Sequence, residues 1–188
     1  MDFQEEDLPA YEDLFTFGLD CVKACMETYG IMNWENSYTT PRSPLKRCTD
    51  SIRRLVKQSP KIREMKVHNK LFTYFEGWFE NDERSCCDKD FEAFAEFLTS
   101  ELCLGNFEKD KFIHYCCMIG HMSVKLFTEK DMGVYRAIEA PDYAFCCIAF
   151  ALMHFKKENQ FHESTWAELD AYADSVLAKT RTSSRKHT

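Results

Sequence analysis

The most apolar stretch of the chain is residues 111–127, where hydrophobic side chains cover most of a helix circumference instead of one stripe. A helix of this kind must be enclosed by other protein elements or by lipid. Because crossing a bilayer takes roughly 20 mostly apolar residues, this shorter stretch favours a helix buried in protein. A second apolar stretch, residues 142–156, follows Pro141. We therefore predict a buried central helical hairpin made of residues 111–127 and 142–156.

Amphipathic segments precede this hairpin. In residues 11–29, apolar side chains recur at steps of four and three, which predicts a helix with one buried face, and Gly30 is placed to cap its end. A second helix is predicted to begin near Pro44, with Ser43 as its N-cap, and to end at Pro60.

The remaining segments complete a helical pattern. Residues 61–79 are loosely helical and aromatic, residues 81–90 form a charged connection, residues 91–102 are amphipathic, and residues 166–177 predict one or two short helices. No two-residue alternation typical of strands is strong enough to change this prediction. The fold class is therefore all-α: a single-domain bundle of amphipathic helices around the hairpin. Residues 1–10 are expected to be a flexible N-terminus, residues 11–178 the helical domain and residues 179–188 a polar basic tail.

Composition narrows the class of function. The net charge of −7 argues against a general nucleic-acid binder, because contacts to phosphate need clustered Lys and Arg. The ten cysteines include three adjacent pairs and no Cys-x-x-Cys, so we expect reduced thiols in a cytoplasmic protein. No phosphate-binding loop or nucleophile–base motif is present, and we predict a protein that is not an enzyme and needs no cofactor. The polar ending of the chain predicts no transmembrane anchor.

One spacing suggests a metal site. His114, Cys117 and His121 fall on one face of the central helix, as ligands of zinc would. A tetrahedral structural site takes four ligands, and the sequence offers no obvious fourth. We therefore interpret these residues as packing residues and predict no metal.

Four segments, in the same order, resemble motifs of the B-cell lymphoma 2 (Bcl) family of apoptosis regulators, especially its viral pro-survival members. Residues 18–34 resemble the Bcl-homology-4 helix. Residues 45–52 resemble a Bcl-homology-3 motif through Leu45 and Asp50, with Thr49 where Gly is usual. Residues 101–121 resemble Bcl-homology-1, and the segment around Trp166 resembles Bcl-homology-2. The likeness spans most of residues 11–173.

This resemblance implies a surface groove that receives the Bcl-homology-3 helix of a pro-apoptotic partner and sequesters it. Lys111 stands where the family has the Arg that pairs with the partner's Asp, and Asp110 replaces the neighbouring Gly. Because Lys lacks the bidentate fork of Arg, we expect selective or modest binding. The residues implied to form the groove are Ile52, Val56, Leu98, Glu101, Leu102, Asp110, Lys111, Ile113 and Met118.

The sequence leaves other interpretations open. The same apolar face would serve an all-α scaffold or adaptor that forms a homodimer. Asp50 is either the acid of the Bcl-homology-3 motif or a partner of Arg53 and Arg54 within its own helix. A cytoplasmic protein of this kind would reach mitochondria, if at all, through its partners.

Overall fold

A computed structural model describes residues 11–37, 43–62, 65, 88–128 and 138–184 of the chain. Within these residues the fold is all-α: six α-helices and one short 3-10 helix, with no strand. The helices are α1 (Glu12–Thr28), α2 (Asp50–Gln58), α3 (Asp88–Cys103), α4 (Lys109–Thr128), α5 (Ala140–Lys157) and α6 (Glu163–Ser184), and the 3-10 helix is Ser59–Lys61.

The predicted central hairpin is confirmed as the pair α4 and α5. Nearly all side chains between Phe112 and Leu126 of α4 are buried, as are most side chains of α5. The apolar faces of α1, α2, α3 and α6 pack around this pair and bury one continuous core. The prediction of an all-α bundle wrapped around residues 111–127 and 142–156 is therefore confirmed. Lys109 and Asp110 extend α4 beyond the predicted stretch at its exposed end.

Helix α1 lies against both helices of the hairpin. A Cβ added at Gly18 would lie 2.5 Å from the carbonyl oxygen of Phe145, so the backbones of α1 and α5 touch there. Along α4, the stacked rings of Phe17 and Phe112 are 6.1 Å apart, and Cys25 covers Gly120 further along. These contacts advance in the same order on both helices, so α1 and α4 run in the same direction.

Helix α1 ends as predicted, with Gly30 beyond its last turn at φ +78°. The amide of Gly30 donates to the Glu27 carbonyl, and the amide of Ile31 donates to the Met26 carbonyl. These two bonds form a Schellman motif, in which a residue with positive φ lets the chain turn away while the last carbonyls stay paired. Asn159 has the same role after α5, with φ 55°.

The predicted boundaries of three helices are wrong. Helix α2 begins at Asp50, six residues after Pro44, and the final helix is one continuous element of 22 residues that enters the predicted tail. Helix α3 begins at Asp88, so the end of the predicted charged connection is helical. The predicted flexible N-terminus, most of the loosely helical segment 61–79, and residues 81–87 lie outside the described residues.

Candidate functional site

The structure buries five of the predicted groove residues. Ile52, Val56 and Ile113 have no exposed surface, Met118 is 6% exposed and Leu98 is 9% exposed. They belong to the hydrophobic core instead of lining an open surface. In this conformation of the protein, a ligand can therefore contact the predicted groove through those of its residues that are not buried.

The exposed members of the predicted groove lie on α3 and at the start of α4. Glu101, Asp110 and Lys111 are exposed, and Leu102 is partly buried. Two large apolar residues that sequence reasoning missed accompany them, the 47% exposed Phe97 and the 81% exposed Leu104. Phe97, Glu101 and Leu104 follow at steps of four and three, so they share one side of α3 and the turn after it. We call Phe97, Glu101, Leu102, Leu104 and Lys111 the α3 face.

Lys111 is already paired with the residue that directly precedes its helix. Its ammonium lies 2.5 Å from the Glu108 carboxylate, and both side chains are largely exposed. The hydrogen bond from Lys111 to Glu108 raises the pKa of Lys111 above its ordinary value. An exposed ion pair of this kind is weak because water and salt screen it, so a carboxylate on a partner can displace Glu108.

The segment that resembles a Bcl-homology-3 motif is only partly helical. Leu45 lies before α2 and is 51% exposed, whereas Asp50 is the first residue of the helix. The Thr49 hydroxyl accepts from the amide of Ile52 and is the real N-cap, because its backbone is extended. The Ser43 hydroxyl accepts instead from the amide of Leu45 two residues on, a local turn that does not start a helix. Leu45 and Asp50 therefore do not share a helical face.

Asp50 makes an ion pair with Lys46, a residue before the helix that was not among its predicted partners. Its carboxylate lies 2.6 Å from the Lys46 ammonium, and the hydrogen bond with Lys46 lowers the pKa of Asp50. Arg53 instead pairs with Glu27 on α1. Glu27 also accepts from Lys57 at 3.1 Å. The basic side of α2 therefore makes ion pairs with α1 through Arg53 and Lys57 and is not simply solvated.

Further polar contacts fix the start of α2 to α1 and α6. The Arg47 guanidinium lies 3.2 Å from Asp13 on α1 and 2.5 Å from Glu163 on α6, and its carbon lies 5.2 Å from the centre of the Trp166 ring. The Thr49 hydroxyl also bonds to Asp170. Ser51 donates to Asp174 at 2.7 Å. We call Arg47, Thr49 and Ser51, with their acidic partners, the α2 clamp.

The three residues considered for zinc have separate partners. The Nε2 atom of His114 lies 3.3 Å from the Tyr172 hydroxyl on α6. Cys117 is hydrogen-bonded to Ser59, and burial raises the pKa of the Cys117 thiol to about 12. The Nε2 atom of His121 lies 2.9 Å from the Val56 carbonyl oxygen. Within the described part of the chain, its buried Nδ1 atom has no hydrogen-bond partner, and burial lowers the pKa of the imidazole. No group of three possible metal ligands is assembled among the residues that the structure describes.

A surface pocket that the sequence did not predict opens beside the α2 clamp. It has a volume of about 380 Å³ and lies between the start of α1 and the connection of α5 to α6. Its walls carry both signs of charge, negative from Asp13 and Glu163 and positive from Lys156. Trp166, which marks the segment resembling Bcl-homology-2, forms part of the wall.

Comparison with known proteins adds no identification. No family model, no curated protein and no solved structure matches this chain. Among the described helices, none is both long enough and apolar enough to cross a membrane.

Proposed function

We propose that this chain binds the amphipathic Bcl-homology-3 helix of pro-apoptotic partners on its α3 face and thereby blocks cell death. The observation that carries the proposal is the exposure of Phe97 and Leu104 on α3 and the turn after it, with Lys111 exposed at the start of α4. Helix-in-groove recognition uses apolar anchors at helical spacing and a charged group that fixes the register. The α3 face offers both kinds of group.

The bundle architecture supports this assignment. A hairpin buried on all sides leaves partner binding to the helices that surround it, and α3 has one apolar side in the core and another in solvent. Phe91, Phe94 and Leu98 anchor the inner side of α3. A partner can therefore bind the outer side without displacing α3 from the bundle.

The charges around Lys111 set the expected selectivity. Glu108 and Asp110 are exposed and act electrostatically on Lys111, and Glu101 is exposed in the last turn of α3. The other basic residue at the start of α4 is Lys109, which lies 3.5 Å from Glu168 on α6. A partner helix with many acidic residues would be repelled, whereas one acidic residue flanked by basic ones fits both signs. We therefore expect selective binding of modest affinity.

Calorimetric titration with a panel of Bcl-homology-3 peptides tests the proposal. For each peptide that binds the wild type, Leu104→Glu should lower the affinity at least tenfold, because it places a charge among the apolar contacts. Met32→Glu is the matched control, since Met32 is 72% exposed on the segment after α1. Lys111→Glu should also weaken binding, while Lys157→Glu makes the same change of charge on an exposed residue of α5 and should not.

The results that would overturn the proposal are specific. No heat with any peptide, or equal losses in Leu104→Glu and Met32→Glu, would exclude the α3 face as the binding site. Light scattering coupled to size exclusion covers the homodimer alternative. If the wild type is a dimer and Leu104→Glu converts it to a monomer, the α3 face serves self-association instead of partner binding.

A further inference from the structure

The surface pocket beside the α2 clamp has the size of a small-molecule site and takes no part in the function proposed above. Its volume of about 380 Å³ lies within the range of roughly 300–1,000 Å³ that is usual for ligand pockets. Its walls come from the start of α1, the end of α5, the connection between α5 and α6, and the first turn of α6. A ligand in this pocket would therefore contact three helices.

The carboxylates of Asp13 and Glu163 form a negative pole that one arginine neutralises only in part. Asp13 accepts from the Nε atom of Arg47 at 3.2 Å, and the two oxygens of Glu163 accept from its terminal nitrogens at 2.5 Å and 2.9 Å. Two carboxylates thus face a single positive charge. A carboxylate has about four lone-pair sites, so this pair can accept further hydrogen bonds. The pole therefore has the charge and the acceptor capacity for a second cation.

Trp166 supplies an apolar wall at the same place. The guanidinium carbon of Arg47 lies 5.2 Å from the centre of the Trp166 ring, so the indole and the two carboxylates surround one group. The ring of Phe161, which also lines the pocket, meets Trp166 edge to face at 4.8 Å. Both rings are more than nine-tenths buried, so the apolar surface that they offer is narrow. A narrow apolar wall suits a methylene chain.

Lys156 gives the pocket a separate positive pole. Its ammonium lies 5.4 Å from the centre of the Tyr11 ring, directly before the start of α1. Among the described residues, Lys156 takes part in no ion pair. The Lys156 ammonium therefore lies farther from Asp13 and Glu163 than an ion pair allows, although all three residues line one pocket. A ligand that contacts both poles must be elongated.

We propose that this pocket binds an ω-amino acid group, in which a methylene chain separates an ammonium from a carboxylate. The ammonium contacts Asp13 and Glu163, the chain lies along Trp166, and the carboxylate contacts Lys156. A free ω-amino acid has this chemistry, and so does the C-terminal lysine of a peptide through its side chain and its terminal carboxylate. The affinity is modest, because contacts between charges near solvent are weak.

Titration of the full-length protein with ε-aminocaproate, followed by NMR of the tryptophan indole N–H signals, tests the assignment. The chain has three tryptophans, and replacing each by phenylalanine in turn identifies the signal of Trp166. This signal should shift and saturate. Hexanoate and hexylamine, which carry one charge each, and glycine, whose two charges are too close together, should bind at least fivefold more weakly at equal ionic strength.

Two further peptides separate the sources of the ligand. A short peptide that ends in lysine is compared with the same peptide carrying a C-terminal amide. Saturable binding of the free acid alone shows that the pocket accepts a chain end. Binding of ε-aminocaproate without binding of either peptide shows that it accepts the free small molecule.

Matched variants test the two poles. Lys156→Gln should lower the affinity for ε-aminocaproate about fivefold, whereas Lys157→Gln, at an exposed neighbour that does not line the pocket, should leave it unchanged. Glu163→Gln should lower it by a similar factor, and Glu158→Gln is the corresponding control. Lys156 and Glu163 are exposed, so these variants should keep the helical circular dichroism of the wild type.

Three results would overturn the assignment. They are the absence of a saturable Trp166 shift, equal binding of hexanoate or hexylamine, and equal losses in Lys156→Gln and Lys157→Gln. The pocket shares no residue with the α3 face, so Leu104→Glu should leave the titration with ε-aminocaproate unchanged. Failure of this proposal is therefore distinguishable from failure of partner binding at the α3 face.

Discussion

The sulfur atom of Cys25 lies directly over Gly120, at 2.7 Å from the place that a Cβ of residue 120 would occupy. This contact joins α1 to α4 near the middle of the core, and both residues have little or no exposed surface. Gly120 is therefore required for the close approach of the two helices, although glycine inside a helix is itself unfavourable by about 1 kcal/mol relative to alanine.

Gly120→Ala should destabilise the fold because the added methyl group overlaps the Cys25 sulfur. Overpacking of this kind typically costs about 1–3 kcal/mol, partly offset by the better helix propensity of alanine. We expect a net loss of about 1 kcal/mol in the free energy of unfolding, measured by denaturant titration. Gly120→Ala combined with Cys25→Ala should be more stable than the sum of the single effects predicts, since the smaller side chain makes room.

Gly18→Ala should be more harmful than Gly120→Ala. The added Cβ would lie 2.5 Å from the Phe145 carbonyl oxygen, a backbone atom held within α5 that cannot rotate away. The helices must separate, at a cost at the upper end of the range for overpacking, about 3 kcal/mol. Gly105→Ala is the control, because its nearest contact would be an ordinary 3.9 Å. Equal denaturation midpoints for the Gly18 and Gly105 variants would show that α1 and α5 are not in backbone contact.

Thr49→Val should weaken the attachment of α2. Valine preserves the shape of threonine but removes both the N-cap bond to Ile52 and the bond to Asp170. Loss of a cap costs about 0.5–2 kcal/mol, so we expect a decrease of that size in the free energy of unfolding. Hydrogen exchange at the amides of α2 should accelerate. Thr49→Ser keeps the hydroxyl and should stay near the wild type, and Ser43→Val, which lies outside any helix, should leave the exchange of α2 unchanged.

Stability should fall on mild acidification because His121 is buried in its neutral form. Burial lowers the pKa of His121 below 6.5, so the unfolded chain binds a proton more tightly than the folded protein does. The contribution of His121 to stability is complete above pH 6.5 and is lost as the pH falls through the lower folded value. The pKa of His114 is lowered by burial in the same direction.

Denaturant titrations at pH 7.5 and pH 5 measure this dependence. His121→Gln can keep a donor to the Val56 carbonyl and lacks the titrating ring, so the change in stability between the two pH values should be smaller than in the wild type. His162→Gln replaces an exposed histidine and should retain the full change. An unaltered pH dependence in His121→Gln would contradict the burial of its neutral ring.

The pattern of apolar residues predicted the hairpin and the amphipathic helix α1 correctly, because burial on all sides or on one side leaves a direct trace in the periodicity. It misplaced the start of α2, since Ser43 and Thr49 both carry a hydroxyl suited to capping. Only the local backbone decides which hydroxyl accepts from a helical amide. It also failed to anticipate that α6 continues to Ser184, where the sequence is polar.

The candidate site was less predictable than the fold. Apolar residues at helical spacing were selected for the groove, yet Ile52 and Ile113 are fully buried while Leu104 is exposed. Periodicity identifies an apolar face but does not say whether another helix or solvent covers it. The α2 clamp was hidden for a similar reason, because the partners of Arg47 are 34 and 116 residues away in the chain.

The sequence by itself determined that this protein is a helical bundle with two enclosed helices, because hydrophobic burial depends on the order of side chains along each segment. Tertiary structure alone decided which faces remain open and where glycine is indispensable. Those properties depend on distances between segments far apart in the chain, and such distances are set by packing the whole bundle.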